Sequence, residues 1–224
     1  MKQELLSGVR RVVLLQKVVI CMVLLALPIV ASAALVLDGS FEDTVAHSPF
    51  QTFNAGQTFG GWTVTSGSID LINGYWAAAD GNQSVDLAGN NHGTIQQTVN
   101  ASAGLYQLSF ALSGNSDGPP TIKTVLVTVG NQTKLFSFTT PAQNNGNMLW
   151  TKESWDVYIP TGGSTTLSFA DVSGGNNPTP YGAALDNVSL VCCVPEAGTF
   201  VAGAMLLLPF GAGSLRILRR LRTV

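Results

Sequence analysis

Charged residues are scarce in this sequence, and their distribution excludes one broad class of partner. Asp, Glu, Lys and Arg make up 11% of the 224 residues, which is under half of the usual fraction. Between Ala34 and Val191 there is no arginine, and three lysines stand against eleven acidic residues, a formal net charge of −8. A protein that binds nucleic acid needs a basic patch to neutralise phosphates, so this composition argues against a nucleic-acid partner.

Cysteine is nearly absent as well, with three residues in the whole chain. Cys21 lies in the N-terminal segment, whereas Cys192 and Cys193 are adjacent near the other end. Neighbouring cysteines rarely bridge each other, because the disulfide geometry is then strained. The stretch between the two ends therefore has neither a disulfide framework nor a cysteine-based metal site. The pair is interpreted as thiols or as an intermolecular contact near a membrane.

Catalytic motifs are the third thing that the sequence lacks. It contains no Gly-x-Ser-x-Gly elbow, no metal-binding pair of histidines and no phosphate-binding loop. His47 stands in a polar loop, and His92 stands in a turn-like Asn-Asn-His-Gly stretch. Carboxylates are numerous enough for glycoside hydrolysis to stay an alternative. The pattern as a whole predicts a protein that is not an enzyme.

The N-terminus carries the pattern of a secretory signal. Residues 1–17 hold four basic side chains, residues 18–27 are apolar, and Ala31-Ser32-Ala33 forms a small-residue cleavage site. This order predicts a signal peptide over residues 1–33 and export of the rest of the chain. The alternative is an uncleaved anchor helix, which needs about 20 apolar residues.

The C-terminus, residues 192–224, has three parts in sequence. Pro195 and Glu196 come first, an apolar run follows from Thr199 to Gly213, and an arginine cluster that includes Arg219 and Arg220 ends the chain. With the residues up to Leu218 the run reaches ~20 residues, enough to span a bilayer of ~30 Å. The basic end fits the positive-inside rule with the rest of the protein outside. The alternative interpretation is a buried core helix.

Between these ends, short apolar runs alternate with clusters of Gly, Asn, Ser and Pro. Period-2 alternation with turn signals at this spacing predicts an all-β fold, a single jelly-roll β-sandwich over residues 34–191. A long loop is expected at Asp43–Gly60. Strands are expected at Leu35–Leu37, Gly61–Thr65, Ser68–Ile72, Gln83–Leu87, Thr94–Val99 paired with Gly104–Leu112, Thr121–Val129 paired with Lys134–Phe138, Trp150–Ile159, Thr165–Phe169 and Ala184–Val191.

The tail resembles a PEP-CTERM sorting signal, which combines a Pro-Glu-Pro motif, a transmembrane helix and an arginine cluster. Pro195 and Glu196 match the motif, and Ala197 stands where the signal has its second proline. The resemblance implies that a membrane-bound exosortase recognises the motif and removes the helix. If Ala197 blocks this processing, the protein stays anchored in the membrane.

The body resembles the choice-of-anchor C domain and, more distantly, plant cell-wall jelly-roll proteins. The resemblance implies a galactose-binding-like jelly roll without an established enzymatic activity. It rests on the ordered stretches 37–42, 61–62, 67–72, 76, 80–87, 93–98, 106–115 and 184–190.

Three carboxylates make a possible calcium site. Asp38 and Glu42 flank the first expected strand, and Asp186 lies in the last one. A jelly roll often brings its first and last strands side by side, and calcium takes oxygen ligands in flexible geometry. We therefore predict a structural calcium ion at these residues. The alternative is that all three are ordinary turn residues.

One aromatic cluster is the best candidate for a sugar platform. Tyr75 and Trp76 stand beside Asp80, Asn82 and Gln83, so that rings could stack on a sugar while the polar groups bond its hydroxyls. Trp150 and Trp155, in contrast, lie in an expected strand and are interpreted as packing residues.

These features predict an exported protein of the cell surface, outer membrane or extracellular matrix, transiently anchored in the inner membrane. Its expected role is a non-catalytic module that associates with extracellular polysaccharide. Its expected partners are that polysaccharide, an exosortase-like enzyme and the membrane. The alternative is a structural matrix or adhesion protein without a glycan ligand.

Overall fold

The computed structural model describes residues 35–140, 146–175, 177 and 179–192, which all fall in one compact unit. No helix occurs among these residues, and hence none of them belongs to a helix that could cross a membrane. The predicted signal peptide and the predicted sorting tail, with Pro195, Glu196, Arg219 and Arg220, lie outside the described residues.

The described residues form two antiparallel sheets of six strands each. Sheet A has the order β1-β4-β5-β12-β7-β10, and sheet B has the order β2-β3-β6-β11-β8-β9. This arrangement confirms the predicted all-β sandwich. The strands are β1 Phe50–Asn54, β2 Thr58–Phe59, β3 Trp62–Ser66, β4 Ser68–Asn73, β5 Gln83–Asp86, β6 Thr94–Ala101, β7 Gly104–Gly114, β8 Ile122–Val129, β9 Gln132–Thr139, β10 Thr151–Ile159, β11 Gly163–Asp171 and β12 Ala183–Cys192.

The main core lies between the two sheets and is built by alternate residues of each strand. On β7, Leu108, Phe110 and Leu112 are buried, as expected when every second side chain of a strand points to one face. Phe110 packs edge-on against Phe169 of β11, with ring centroids 5.3 Å apart. Aromatic pairs of this kind add ~0.5–1.5 kcal/mol beyond the burial of their area, so they tie sheet A to sheet B.

The first 15 described residues contain no strand, which corrects the expected strand at Leu35–Leu37. The side-chain amide of Gln97 takes the place of a neighbouring strand. Its Oε1 accepts the N–H of Leu37 at 2.9 Å, and its Nε2 donates to the carbonyl of Leu37 at 3.1 Å. These bonds satisfy the backbone of Leu37 without a β-ladder.

The segment Asp43–Gly60, expected to be one long loop, contains β1 and β2. β1 pairs with β4 in the register Phe50↔Ile72 to Asn54↔Ser68. β1 is an edge strand with polar residues between its two phenylalanines, so its sequence lacks the apolar enrichment by which strands are recognised.

The expected pairing of Thr94–Val99 with Gly104–Leu112 is wrong, although both strands exist. β6 pairs with β3 and β11 in sheet B, whereas β7 pairs with β10 and β12 in sheet A. The short connection therefore crosses from one sheet to the other. The second expected pair, β8 with β9, is confirmed, and Gly130 makes its turn with a φ of +60°.

Candidate functional site

The outer face of sheet A carries a second apolar cluster, separate from the main core. Ile72, Trp76, Met148 and Ala184 are buried in it, and Tyr75 and Trp150 pack against its side. On β4, Leu71 points into the main core and Ile72 points to the outer face, because neighbours on a strand face opposite ways. The cluster holds the loop 74–82 against the sheet.

Asp186 attaches this loop to β12 by its carboxylate. Its Oδ2 accepts the backbone N–H groups of Ala79 at 2.7 Å and Asp80 at 2.9 Å. The residue is fully buried, and this burial raises the pKa of the Asp186 carboxyl to about 7, although the backbone donors pull in the other direction. Asp186 therefore fixes the backbone of residues 79 and 80 against β12.

A bulge in β12 lies next to this anchor. The pairing of β12 with β7 shifts between Asp186 and Ser189, and Asn187 adopts a left-handed conformation with a φ of +48°. Bulges re-aim side chains at the surface of a sheet. Here the bulge leaves Asn187 exposed on the outer face, beside the loop that Asp186 holds.

The loop and the bulge enclose a surface groove with a volume of about 220 Å³. The polar residues that line it are Ser109 on β7, Thr151 and Lys152 on β10 and Asn187 on β12, and Ala79 lines it from the loop. The volume is below the ~300–1,000 Å³ of pockets that enclose a whole small molecule. The groove therefore suits one part of a polymer that lies across the surface.

Trp150 is the aromatic residue of the groove that lies at the surface, because Phe110, which also lines the groove, is buried in the main core. It is half-buried, packs on the apolar cluster and lines the groove. Its Nε1 donates to the carbonyl of Ala77 at 2.9 Å, so the ring is held in place by the same loop. A fixed ring beside hydroxyl, amide and ammonium groups can stack on the apolar face of a sugar while the polar groups bind its hydroxyls.

The structure corrects the predicted ligand set at two of its five positions. Trp76 is 4% exposed, and its Nε1 donates to Ser84 Oγ at 2.8 Å, so the ring is an interior anchor of the loop. Gln83 is 2% exposed, and its amide bonds three backbone groups of residues 41–46. Neither side chain is available to a ligand on the surface.

The other three predicted ligand residues lie at the surface of the same loop region. Tyr75 is half-buried, and its hydroxyl donates to Asp117 Oδ2 at 2.6 Å. Asp80 and Asn82 are exposed. The sequence-based prediction named Trp76 in the ligand set, whereas the tryptophan that lines the groove is Trp150. Trp150 directly precedes β10 and has no sequence signal of its own that separates it from a packing residue.

The three predicted calcium ligands do not share one site in the described part of the chain, where no group of three or more acidic, histidine or cysteine side chains is placed to hold a metal. Asp38 Oδ1 accepts the N–H of Glu42 at 2.7 Å. Glu42 Oε1 accepts those of Asn82 and Gln83 at 2.6 and 2.7 Å. Each carboxylate is engaged by different backbone groups, and the calcium ion stays a prediction.

A buried polar network lies at the end of the sandwich, and it bears on the enzyme alternative. Asp86 is buried, accepts two backbone N–H groups and binds Asn115 Nδ2 at 2.8 Å. Asp171 contacts His92 Nδ1 through one oxygen and accepts Ser173 Oγ at 2.6 Å through the other. In serine hydrolases the histidine stands between serine and carboxylate. Here the carboxylate stands in the middle, so this trio is not arranged to activate the serine.

Comparison with known proteins places the chain in a family. The model of a family described as "Protein of unknown function (DUF642)" matches residues 34–191. The chain belongs to the DUF642 family. The chain is also similar to halomucin of Haloquadratum walsbyi, with 30% identity over 164 residues, 70% of this chain. The chain spans about 2% of the length of halomucin, the curated relative that it matches.

Several solved structures are similar to the DUF642 domain at low sequence identity. The Stig cyclase Fisc from Fischerella sp. TAU has a TM-score of 0.51 and 12% identity, over 74% of this chain and 100% of the cyclase. Two carbohydrate-binding modules are also similar. TmCBM61, solved with β-1,4-galactotriose, has a TM-score of 0.45 and 15% identity over 72% and 99% of the two chains. CBM35 from Paenibacillus barcinonensis has a TM-score of 0.42 and 16% identity over 63% and 98%.

Proposed function

We propose that this domain is a non-catalytic carbohydrate-binding module that holds extracellular polysaccharide in the groove on sheet A. The observation that carries the proposal is the half-buried Trp150 ring, fixed by the loop 74–82 and flanked by Lys152, Asn187 and Ser109. The groove is too small to enclose a substrate, and the buried Asp86 and the Asp171 trio are engaged in structural bonds. Binding without turnover fits this arrangement better than catalysis.

A glycan array tests the proposal, followed by titration of the best oligosaccharide against purified protein. β-1,4-Galactotriose, the ligand of TmCBM61, is one of the probes. We expect Trp150→Ala to weaken binding about tenfold or more, because truncating a central aromatic contact commonly costs ~2 kcal/mol. Lys152→Ala should weaken binding less, since a single exposed cation contributes little in water.

Trp155→Ala is the matched control, because Trp155 lies on β10, the strand that directly follows Trp150, but packs against the main core. We expect it to lower the stability of the fold and to leave glycan affinity unchanged below its melting temperature. No binding to neutral or acidic glycans by the unaltered protein would disprove the proposal. In that case the alternative, a structural matrix or adhesion protein, should show itself as self-association or as altered matrix cohesion on deletion.

We also propose that the domain acts outside the cytoplasm, exported by residues 1–33 and sorted by residues 192–224. The basis is the order of basic, apolar and small residues at the start and the Pro195-Glu196, apolar and arginine parts at the end. Cell fractionation with N-terminal sequencing should find a mature protein that begins at Ala34. Ala197→Pro should increase removal of the tail if an exosortase reads this motif. Retention of the intact chain in the cytoplasm would disprove export.

A further inference from the structure

A second cavity, of about 260 Å³, lies at the far end of β10 from the groove. It forms where the β8–β9 turn meets the connection from β10 to β11. None of the described residues that line it is charged, although the domain as a whole carries many acids. Its hydrogen-bonding side chains are those of Asn131, Gln132, Tyr158, Thr161, Ser164 and Thr165.

Tyr158 is the aromatic residue among those that line this cavity, and it is 58% exposed. Its neighbours Val157 and Ile159 are buried in the main core, so the alternation of the strand turns the Tyr158 side chain outward. Gln132 Nε2 donates to the Tyr158 carbonyl at 2.6 Å and fixes the β8–β9 turn against the strand. Among the described residues, the Tyr158 ring has no aromatic or cationic partner and its hydroxyl has no hydrogen-bond partner.

This combination selects the chemistry of a ligand. An exposed ring offers an apolar face, and the amides and hydroxyls around it can donate and accept hydrogen bonds. A uronate or a phosphate would find no cation here and would meet an acidic domain. A neutral sugar has one apolar face and several hydroxyls, and thus matches both parts of the lining.

The edge strand of sheet A, β10, contributes residues to both the groove and the cavity. Lys152 lines the groove and Tyr158 lines the cavity, and both belong to the exposed alternate residues of β10. Six residues separate them, a distance of about 20 Å along a strand. The outward residues between them, Ser154 and Asp156, are exposed, and Gln107 of β7 bonds Asp156 at 3.4 Å. No described element covers this strip.

We propose that the Tyr158 cavity is a second subsite for a neutral sugar, and that a glycan chain held in the groove extends along β10 to reach it. The inference rests on the proposed function, because it needs a glycan bound at Trp150. It adds a prediction that the groove alone does not make. Affinity should rise with chain length until the chain spans the distance from Trp150 to Tyr158.

The test is titration of the whole protein with neutral β-1,4-linked galacto- and gluco-oligosaccharides, from the disaccharide to the octasaccharide. We expect Tyr158→Ala to leave the affinity for the shortest ligands unchanged and to lower that for the longest about tenfold. Tyr158→Phe should keep most of the affinity, since the stacking ring remains. Leu135→Ala is the control of equal exposure, at 59%, on sheet B, and it should change nothing at any length.

Three outcomes separate this inference from the proposed function. If the unaltered protein binds none of these ligands, the proposed function fails for neutral glycans and the subsite falls with it. If Trp150→Ala weakens binding at every length but Tyr158→Ala matches the unaltered protein, only the subsite is overturned. Equal weakening of short and long ligands by Tyr158→Ala would also overturn it, because Tyr158 would then act through the groove.

Discussion

Gln83 offers the sharpest test of the structure, because the sequence predicts it as a ligand residue and the structure makes it a buried clamp. Its Oε1 accepts the N–H of Ala46 at 2.8 Å, and its Nε2 donates to the carbonyls of Phe41 at 2.7 Å and Thr44 at 2.8 Å. These bonds hold the strandless segment before β1 against β5. Gln83→Ala removes all three.

The size of the effect follows from what the substitution leaves behind. One N–H and two carbonyls lose their partner, and each buried unpaired group costs ~1–3 kcal/mol. The bond to Thr44 is only partly buried, so water can replace it at lower cost. We therefore expect Gln83→Ala to lower the free energy of unfolding by about 3–5 kcal/mol. That is a large share of the ~5–15 kcal/mol typical of a whole domain.

Urea denaturation measures this loss as a shift of the midpoint at constant slope. Gln107→Ala is the matched control, because Gln107 is an exposed glutamine of the same sheet with a single long bond. It should change the stability by less than ~0.5 kcal/mol. A loss below ~1 kcal/mol in Gln83→Ala, no larger than in the control, would refute the clamp. Loss of glycan binding at unchanged stability would instead restore the ligand role.

Three further predictions concern the carboxylates and one glycine. Burial raises the pKa of Asp86 to about 8 and that of Asp186 to about 7, so the folded protein keeps protons that the unfolded chain releases near 3.8. The free energy of unfolding should therefore fall as the pH rises from about 4 to 8. Asp86→Asn should make this dependence on pH weaker. An unfolding free energy that rises with pH over this range would contradict the reasoning. The calcium hypothesis predicts that EDTA lowers the melting temperature and that calcium restores it, because an ion at about a hundred times its Kd adds ~2.7 kcal/mol. Asp38 is the residue to watch, because its buried Oδ2 has no hydrogen-bond partner among the described residues. Equal melting temperatures with EDTA and with calcium would argue against an ion at Asp38. Gly60 has a φ of +49°, and a Cβ at this position would lie 1.6 Å from Asp38 Oδ2. Gly60→Ala should therefore lower the melting temperature more than Gly56→Ala, because a Cβ at residue 56 would meet no atom within 4 Å. Equal melting temperatures of the two variants would contradict this.

Sequence patterns located the strands better than they located the neighbours of each strand. The strands β3 to β12 can be recognised in the sequence because their apolar residues recur with period 2. The pairing of β6 with β7 was mispredicted because a short turn permits either a hairpin or a crossing between sheets. In both arrangements each strand can bury its apolar residues on one face. Only the packing of all twelve strands therefore decides between the hairpin and the crossing.

The candidate site shows the same limit at the level of single residues. Trp76 and Trp150 both follow polar, glycine- or asparagine-rich stretches, and their local sequences look alike. In the folded domain, the Trp76 side chain points from its own loop, 74–82, into the apolar cluster beneath it, whereas Trp150 lies at the edge of that loop. The Asp186 anchor joins residues more than a hundred positions apart, and the bulge at Asn187 lies in the pairing of β12 with the distant β7. Contacts between such distant residues cannot be predicted from a local sequence pattern.

By itself the sequence determined the acidic composition of residues 34–191. It also determined the class of the fold, because burial on alternate faces leaves a periodic trace in the order of residues. The tertiary structure alone decided which residues are exposed. Gln83 became an interior clamp, Trp76 an anchor and Trp150 the ring of the groove, because burial depends on which distant segment covers each face. The same reason applies to Tyr158, whose uncharged surroundings are assembled from the ends of four strands.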